Sequence, residues 1–166
     1  MRLEREVGVL LAAAGKTIST AESCTGGLIA ARITAVPGSS QYFAGGVVAY
    51  ANAVKERQLG VSANTLRRFG AVSAPVARQM AFGARQRLHT DFGIGVTGVA
   101  GPGGGTRTKP VGLVYVAVAG PAACKVRKCR FEGGRAGIRK AAAETALGML
   151  KIELLEQGVK HGKENR

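Results

Sequence analysis

Ala21-Glu22-Ser23-Cys24-Thr25-Gly26-Gly27 lies between a strand-like run, Thr17 to Ala21, and a helix-like run, Leu28 to Val36. A serine is therefore placed where a strand gives way to a helix. The first amides of a helix have no internal partners and carry a partial positive charge. Two glycines let another molecule approach that backbone closely. A nucleophilic Ser23 would have backbone donors beside it to stabilise an oxyanion. A plainer reading makes Ser23 and Thr25 capping and turn residues, which are favoured at helix starts. Cys24 is a rival nucleophile, although buried structural cysteines are commoner than reactive ones.

Outward from this turn, helices and strands interleave. Leu3 to Ala14 has helical apolar spacing and ends at Gly15. The helix from Leu28 closes at Pro37-Gly38. Gly46 to Ala51 reads as a buried strand, and Asn52 as the cap of a short helix, Ala53 to Leu59. Ser62 reads as the cap of Ala63 to Phe69, and Pro75 opens a longer helix that reaches Leu88. Phe92 to Val96 is a third strand, running into the glycine-rich loop Thr97 to Thr106. Val111 to Ala119 is apolar enough for a central strand, and Lys125 to Phe131 suits an edge. A last helix spans Arg135 to Leu155, before a polar, frayed tail at 158–166. The pattern predicts an α/β fold: a single layered α/β/α domain over 1–166, a central sheet with helices on both faces.

The chain has 166 residues, 46% of them hydrophobic, which suits one domain with a real core. No run approaches the ~20 apolar residues of a membrane span. The N-terminus alternates charges and lacks the apolar region of a signal peptide, so a cytoplasmic protein without a membrane partner is expected. Cys24, Cys124 and Cys129 form no CxxC pair, so no metal site is expected. The net charge of +14 raises nucleic-acid binding. The bases are spread out, however, and no RNA-binding aromatic motif is present. Nucleic acid is therefore not the expected partner.

Gly93-Ile-Gly-Val-Thr-Gly98 matches GxGxxG literally, but the glycines fall within a strand and loop follows, so it is no dinucleotide site. The loop after it can present amides to an anion. The two histidines argue against a Ser-His-Asp triad: His161 lies in the polar tail and His89 at a helix end. A base for Ser23 is then a lysine or a tyrosine. Lys55, in the first turn of its helix, has the disfavoured positive charge that a neutral amine base needs. Tyr50, ending the preceding strand, can carry its hydroxyl to the same place, although by spacing alone the two read more readily as a core tyrosine and a surface lysine.

The runs Ala21 to Gly27, Tyr50 to Lys55 with Leu59-Gly-Val61, Gly70 to Ser73, Thr97 to Pro102 and Lys109 to Gly112 occur in order. Together they resemble the CinA C-terminal domain family, the nicotinamide-nucleotide amidases, over about Val7 to Leu150. The stand-alone form is the closer likeness. The resemblance implies hydrolysis of nicotinamide mononucleotide to nicotinate mononucleotide and ammonia. It implies Ser23 as nucleophile, Tyr50 and Lys55 as its partners, and Thr97 near the oxyanion and base machinery. It places a substrate-holding base in the Phe131 to Arg135 region, with Arg139 one turn on. Gly134 and Gly103 stand where members often carry acidic or amide residues.

The expected mechanism is acyl transfer: Lys55, assisted by Tyr50, takes the Ser23 proton, and no cofactor is required. Substrate contacts are expected from Thr25, Gly26, Gly27, Asn52, Gly98, Ala100 and Gly101, with Arg135 or Arg139 holding a phosphate. The expected partners are this small nucleotide substrate and further copies of the chain, as a homo-oligomer. Two other readings follow from the same residues: a basic accessory protein of DNA uptake or repair, and a binding module without turnover.

Overall fold

The apolar runs that begin at Ile18, Phe92 and Leu113 lie side by side as inner strands of one sheet. The computed structural model describes residues 2–164, with side chains as far as 158. Its five strands are β1 (Ile18–Glu22), β2 (Phe43–Val48), β3 (Phe92–Gly98), β4 (Leu113–Ala119) and β5 (Cys124–Arg130), in the spatial order β2-β1-β3-β4-β5. The sheet is mixed: β1 runs parallel to both β2 and β3, while β4 and β5 are antiparallel additions.

Strands buried on both faces need cover on both sides. Helices α1 (Leu3–Ala14), α2 (Leu28–Thr34) and α6 (Arg135–Glu164) cover one face, where Leu11, Ile29 and Leu147 meet Ile94 and Val116. Helices α3 (Asn52–Leu59), α4 (Ala63–Phe69) and α5 (Ala74–Arg87) cover the other. This is the expected α/β/α layering. Among the described residues no helix is long and apolar enough to cross a membrane.

The glycines of the GxGxxG match have a packing role. A Cβ on Gly93 would lie 2.2 Å from the Ala81 carbonyl, and one on Gly95 would lie 2.3 Å from that of Ala77. The α5 backbone rests directly on β3, which only glycine permits at this distance.

Several boundaries differ from the sequence reading. Strand β2 begins at Phe43, not Gly46, and ends before Tyr50. Its Ala-Gly-Gly start hides the alternation of an edge strand. Ala51, not Asn52, occupies the cap of α3, and no side chain caps it. Strand β3 continues through Thr97 and Gly98, so the glycine loop begins later than its composition suggests. Helix α6 passes Leu155 and runs to Glu164. The expected frayed tail is thus helical up to that point, and 165–166 lie outside the described residues.

Candidate active site

Ser23 directly follows β1. Its amide donates to the Val96 carbonyl at 3.0 Å, which extends the β1–β3 pairing one residue past Glu22. The chain then turns through Gly26 and Gly27, both at positive φ (61° and 93°), a conformation glycine adopts without Cβ strain. The Ser23 side chain is left at the C-terminal end of the parallel strands, 8% exposed.

Lys55 reaches the same point from the first turn of α3, and it is 1% exposed. Its Nζ lies 3.0 Å from Ser23 Oγ, 2.8 Å from the Ala49 carbonyl oxygen and 3.1 Å from that of Tyr50. Among the described residues no carboxylate forms an ion pair with it. Burial lowers its pKa from the ordinary lysine value, because desolvation penalises the ammonium more than the amine. Cys24 behaves in the opposite sense: burial pushes its thiol up to about 11, which leaves little thiolate at neutral pH. His89 is far from this chemistry, in the turn that feeds the opposite end of β3.

The sequence reading of the α2 N-terminus needs correction. The Glu22 carboxylate, 1% exposed, accepts from the amides of Gly27 (3.0 Å), Ile29 (3.0 Å) and Ala30 (2.8 Å). Leu28 donates to the Thr25 carbonyl. The first amides of α2 are therefore occupied and not free to meet an oxyanion. The end of β3 offers another backbone amide. Val96 faces β1, and Val99 pairs with Leu113 and Gly112 on the β4 side. Strand alternation then turns the Gly98 amide toward β1, beyond the point where β1 has ended.

A cavity of about 230 Å³ opens over Ser23 and Lys55, lined also by Tyr50, Asn52, Thr97, Gly98, Ala100 and Arg135. Thr97 is buried, and its hydroxyl donates to the Ala71 carbonyl at 2.8 Å. Arg135, the first residue of α6, spans the mouth. It donates to the Gly101 carbonyl at 2.8 Å and to the Tyr50 hydroxyl at 3.0 Å. Tyr50 is 61% exposed, so its ring sits at the entrance and its hydroxyl meets Arg135. Arg139 lies elsewhere. It donates to the Thr25 carbonyl at 2.8 Å and lines a separate depression between α1, α2 and α6. Of the expected substrate contacts, Asn52, Gly98, Ala100 and Arg135 line the cavity. Thr25, Gly26 and Gly27 form the turn beside it, and Gly101 anchors Arg135.

The model of the CinA C-terminal domain family matches residues 1–154. The chain belongs to the CinA C-terminal domain family. A CinA-like protein of Cyanothece sp. is 55% identical over 154 residues, which are 92% of this chain and 37% of that protein. A second, from Synechococcus sp., is 54% identical over 151 residues, 90% of this chain and 36% of its own length. The chain thus spans little over a third of these curated relatives. Among solved structures, the competence/damage inducible protein CihA of Agrobacterium tumefaciens is 46% identical, with a TM-score of 0.89 covering 92% of this chain and 93% of that one. A CinA superfamily protein of Klebsiella pneumoniae is 32% identical, with a TM-score of 0.90 over 93% and 96%.

The site of this CinA domain includes residues that sequence reasoning gave no role. Glu22 is one: it precedes the turn, and its carboxylate folds forward onto the start of α2, where a negative charge is favoured. Ala71 and Val72 form one wall of the cavity. Lys109 holds that wall in place: its ammonium donates to the Phe69 carbonyl at the end of α4, just before the Gly70–Ser73 turn.

Proposed function

We propose that this CinA domain is a serine amidohydrolase that converts nicotinamide mononucleotide to nicotinate mononucleotide and ammonia. The observation that carries the reading is the setting of Lys55 Nζ. A neutral amine has two N–H donors and one lone pair. The Ala49 and Tyr50 carbonyls take the two donors, and the lone pair is left for the hydroxyl of Ser23.

Ser23 Oγ attacks the carboxamide carbon as its proton passes to Lys55. The carbonyl oxygen becomes an oxyanion and accepts from the Gly98 amide, a contribution of about 3 kcal/mol for a good donor. The C–N bond breaks, and Lys55 returns the proton to the leaving nitrogen, which departs as ammonia. Water then attacks the acyl-enzyme with Lys55 again as base, which regenerates Ser23 and releases the carboxylate. The cavity has room for a ring bearing the amide, and it leaves the ribose and phosphate at the mouth. Arg135 stands there with a planar fork suited to an anion.

Ammonia release from the purified protein supplied with nicotinamide mononucleotide tests the proposal. Ser23→Ala is expected to release none while keeping the far-UV spectrum and unfolding midpoint of the parent. Parental turnover in that variant removes Ser23 from the chemistry. Arg135→Ala is expected to raise KM for the mononucleotide at least tenfold and to leave the riboside, which lacks the phosphate, unchanged. Equal losses on both substrates would contradict an anion-holding role.

A further inference from the structure

The positive charge left without a nearby acid is densest on the α5 side of the sheet. Asp91 is the only acid between Arg57 and Phe131, and it is held by Lys16 and Thr17. That stretch supplies α4, α5, β4 and β5. On the α6 side, bases meet acids: Arg32 pairs with Glu4 and Glu144, Lys125 with Glu153, and Lys151 with Glu6.

On the α5 side, Ala77 and Ala81 pack on Ala117 and Ala119, with Tyr115, Val126, Cys124 and Phe82 only partly buried around them. Arg78 lies one turn before Phe82 on α5 and is exposed. Lys128, also exposed, stands directly across from Tyr115 in the β4–β5 register. Arg130 continues the same face of β5, since alternate residues share a side. Two aromatic rings thus sit among three exposed cations, on elements that contain no acid at all.

We infer that this strip binds single-stranded nucleic acid. Arg78, Lys128 and Arg130 would neutralise phosphates, and Tyr115 with Phe82 would offer apolar surface to unpaired bases. A second copy of the chain is a poorer occupant, because it would bring the same cations against each other. The inference is independent of the amidase reading, since none of these residues lines the Ser23 cavity.

The test is fluorescence anisotropy of the full chain with a labelled twelve-nucleotide single-stranded DNA, at salt from about 50 to 200 mM. The wild type is expected to bind at low salt and to weaken steeply as salt rises. Arg78→Ser with Lys128→Ser should lose at least tenfold, and Tyr115→Ala about tenfold with an unchanged salt slope. Arg5→Ser with Lys140→Ser removes equal charge from the opposite layer and should lose less than twofold. Absence of wild-type binding, or equal losses in the two double variants, overturns the inference. Equally tight binding of a duplex or of phosphatidylserine vesicles also overturns it. So does a concentration-dependent dimer that the Arg78/Lys128 variant abolishes, which would assign the face to a second copy.

Discussion

Lys55 is an amine taken out of water with no acid paired to it among the described residues, and that setting has kinetic and thermodynamic consequences. As the proposed base it works only when deprotonated. Its pKa lies below the ordinary 10.5, so kcat/KM should rise with pH along a limb placed below that value. Lys55→Arg should be nearly inactive at every pH, because a guanidinium does not deprotonate. The stability sign follows from proton counts. Between the folded and unfolded pKa values the unfolded chain binds more protons, so folding is favoured as pH rises through that window. The full penalty of burying the ammonium is felt below the folded pKa. The urea midpoint of the wild type should therefore gain on that of Lys55→Met between pH 7 and pH 10. Parallel midpoints would mean that Lys55 is not desolvated in solution. Tyr50, the expected helper of Lys55, has its hydroxyl against Arg135, and on the proposed reading it helps to hold the substrate. Tyr50→Phe should therefore raise KM for the mononucleotide more than it lowers kcat. A loss confined to kcat would return Tyr50 to the proton transfer.

Two elements hold Ser23 where it is, and each depends on a residue without chemistry of its own. Helix α2 starts on the Glu22 carboxylate, whose three amide bonds replace the partners that helix termini lack. Glu22→Ala should lower stability by about 2 kcal/mol or more, since charged hydrogen bonds at a buried cap are lost together. Helix α5 rests on Gly93 and Gly95, and Gly95→Ala would place a methyl 2.3 Å from the Ala77 carbonyl and 2.6 Å from the Ala81 amide. Neither neighbour is a side chain that could swing away, so the helix must lift or the strand must yield. A lowered denaturation midpoint would register this; parental stability would show that the α5–β3 approach is looser than described. These elements also mark how far the sequence is legible. Continuous apolar strands, glycine stops and the Ser62 cap announce themselves locally, and so the layering and most boundaries can be read. The start of β2 cannot, because Ala44-Gly-Gly46 carries no alternation and gains its strand character from pairing with β1. Ser23 and Lys55 are brought together by the family resemblance of their motifs, since spacing alone favours a surface lysine. The destination of the α2 amides could not be read, because whether a buried acid folds forward onto a helix start depends on side-chain direction.

For the molecule as a whole, charge is the term that folding has to overcome. Lys and Arg number 24 against 10 Asp and Glu. The ion pairs gather on the α1, α2 and α6 layer, while the α4, α5 and β5 side has almost no acid to offset its arginines. Self-repulsion of this kind destabilises the compact state. Salt acts on both contributions, since it weakens the surface pairs as well as the repulsion, but exposed pairs are worth at most ~1 kcal/mol each. The unpaired excess should dominate. Shortening the screening length from about 10 Å at 0.1 M salt toward 3 Å at 1 M should then raise Tm by a few degrees. Sodium chloride and potassium chloride should give the same gain if screening is the cause. Arg78→Ser with Lys128→Ser removes part of the repulsion, so it should start from a higher Tm at low salt and gain less. A Tm that stays flat or falls with salt would show that the ion pairs outweigh the excess, and that the basic side is tolerated without cost to the fold.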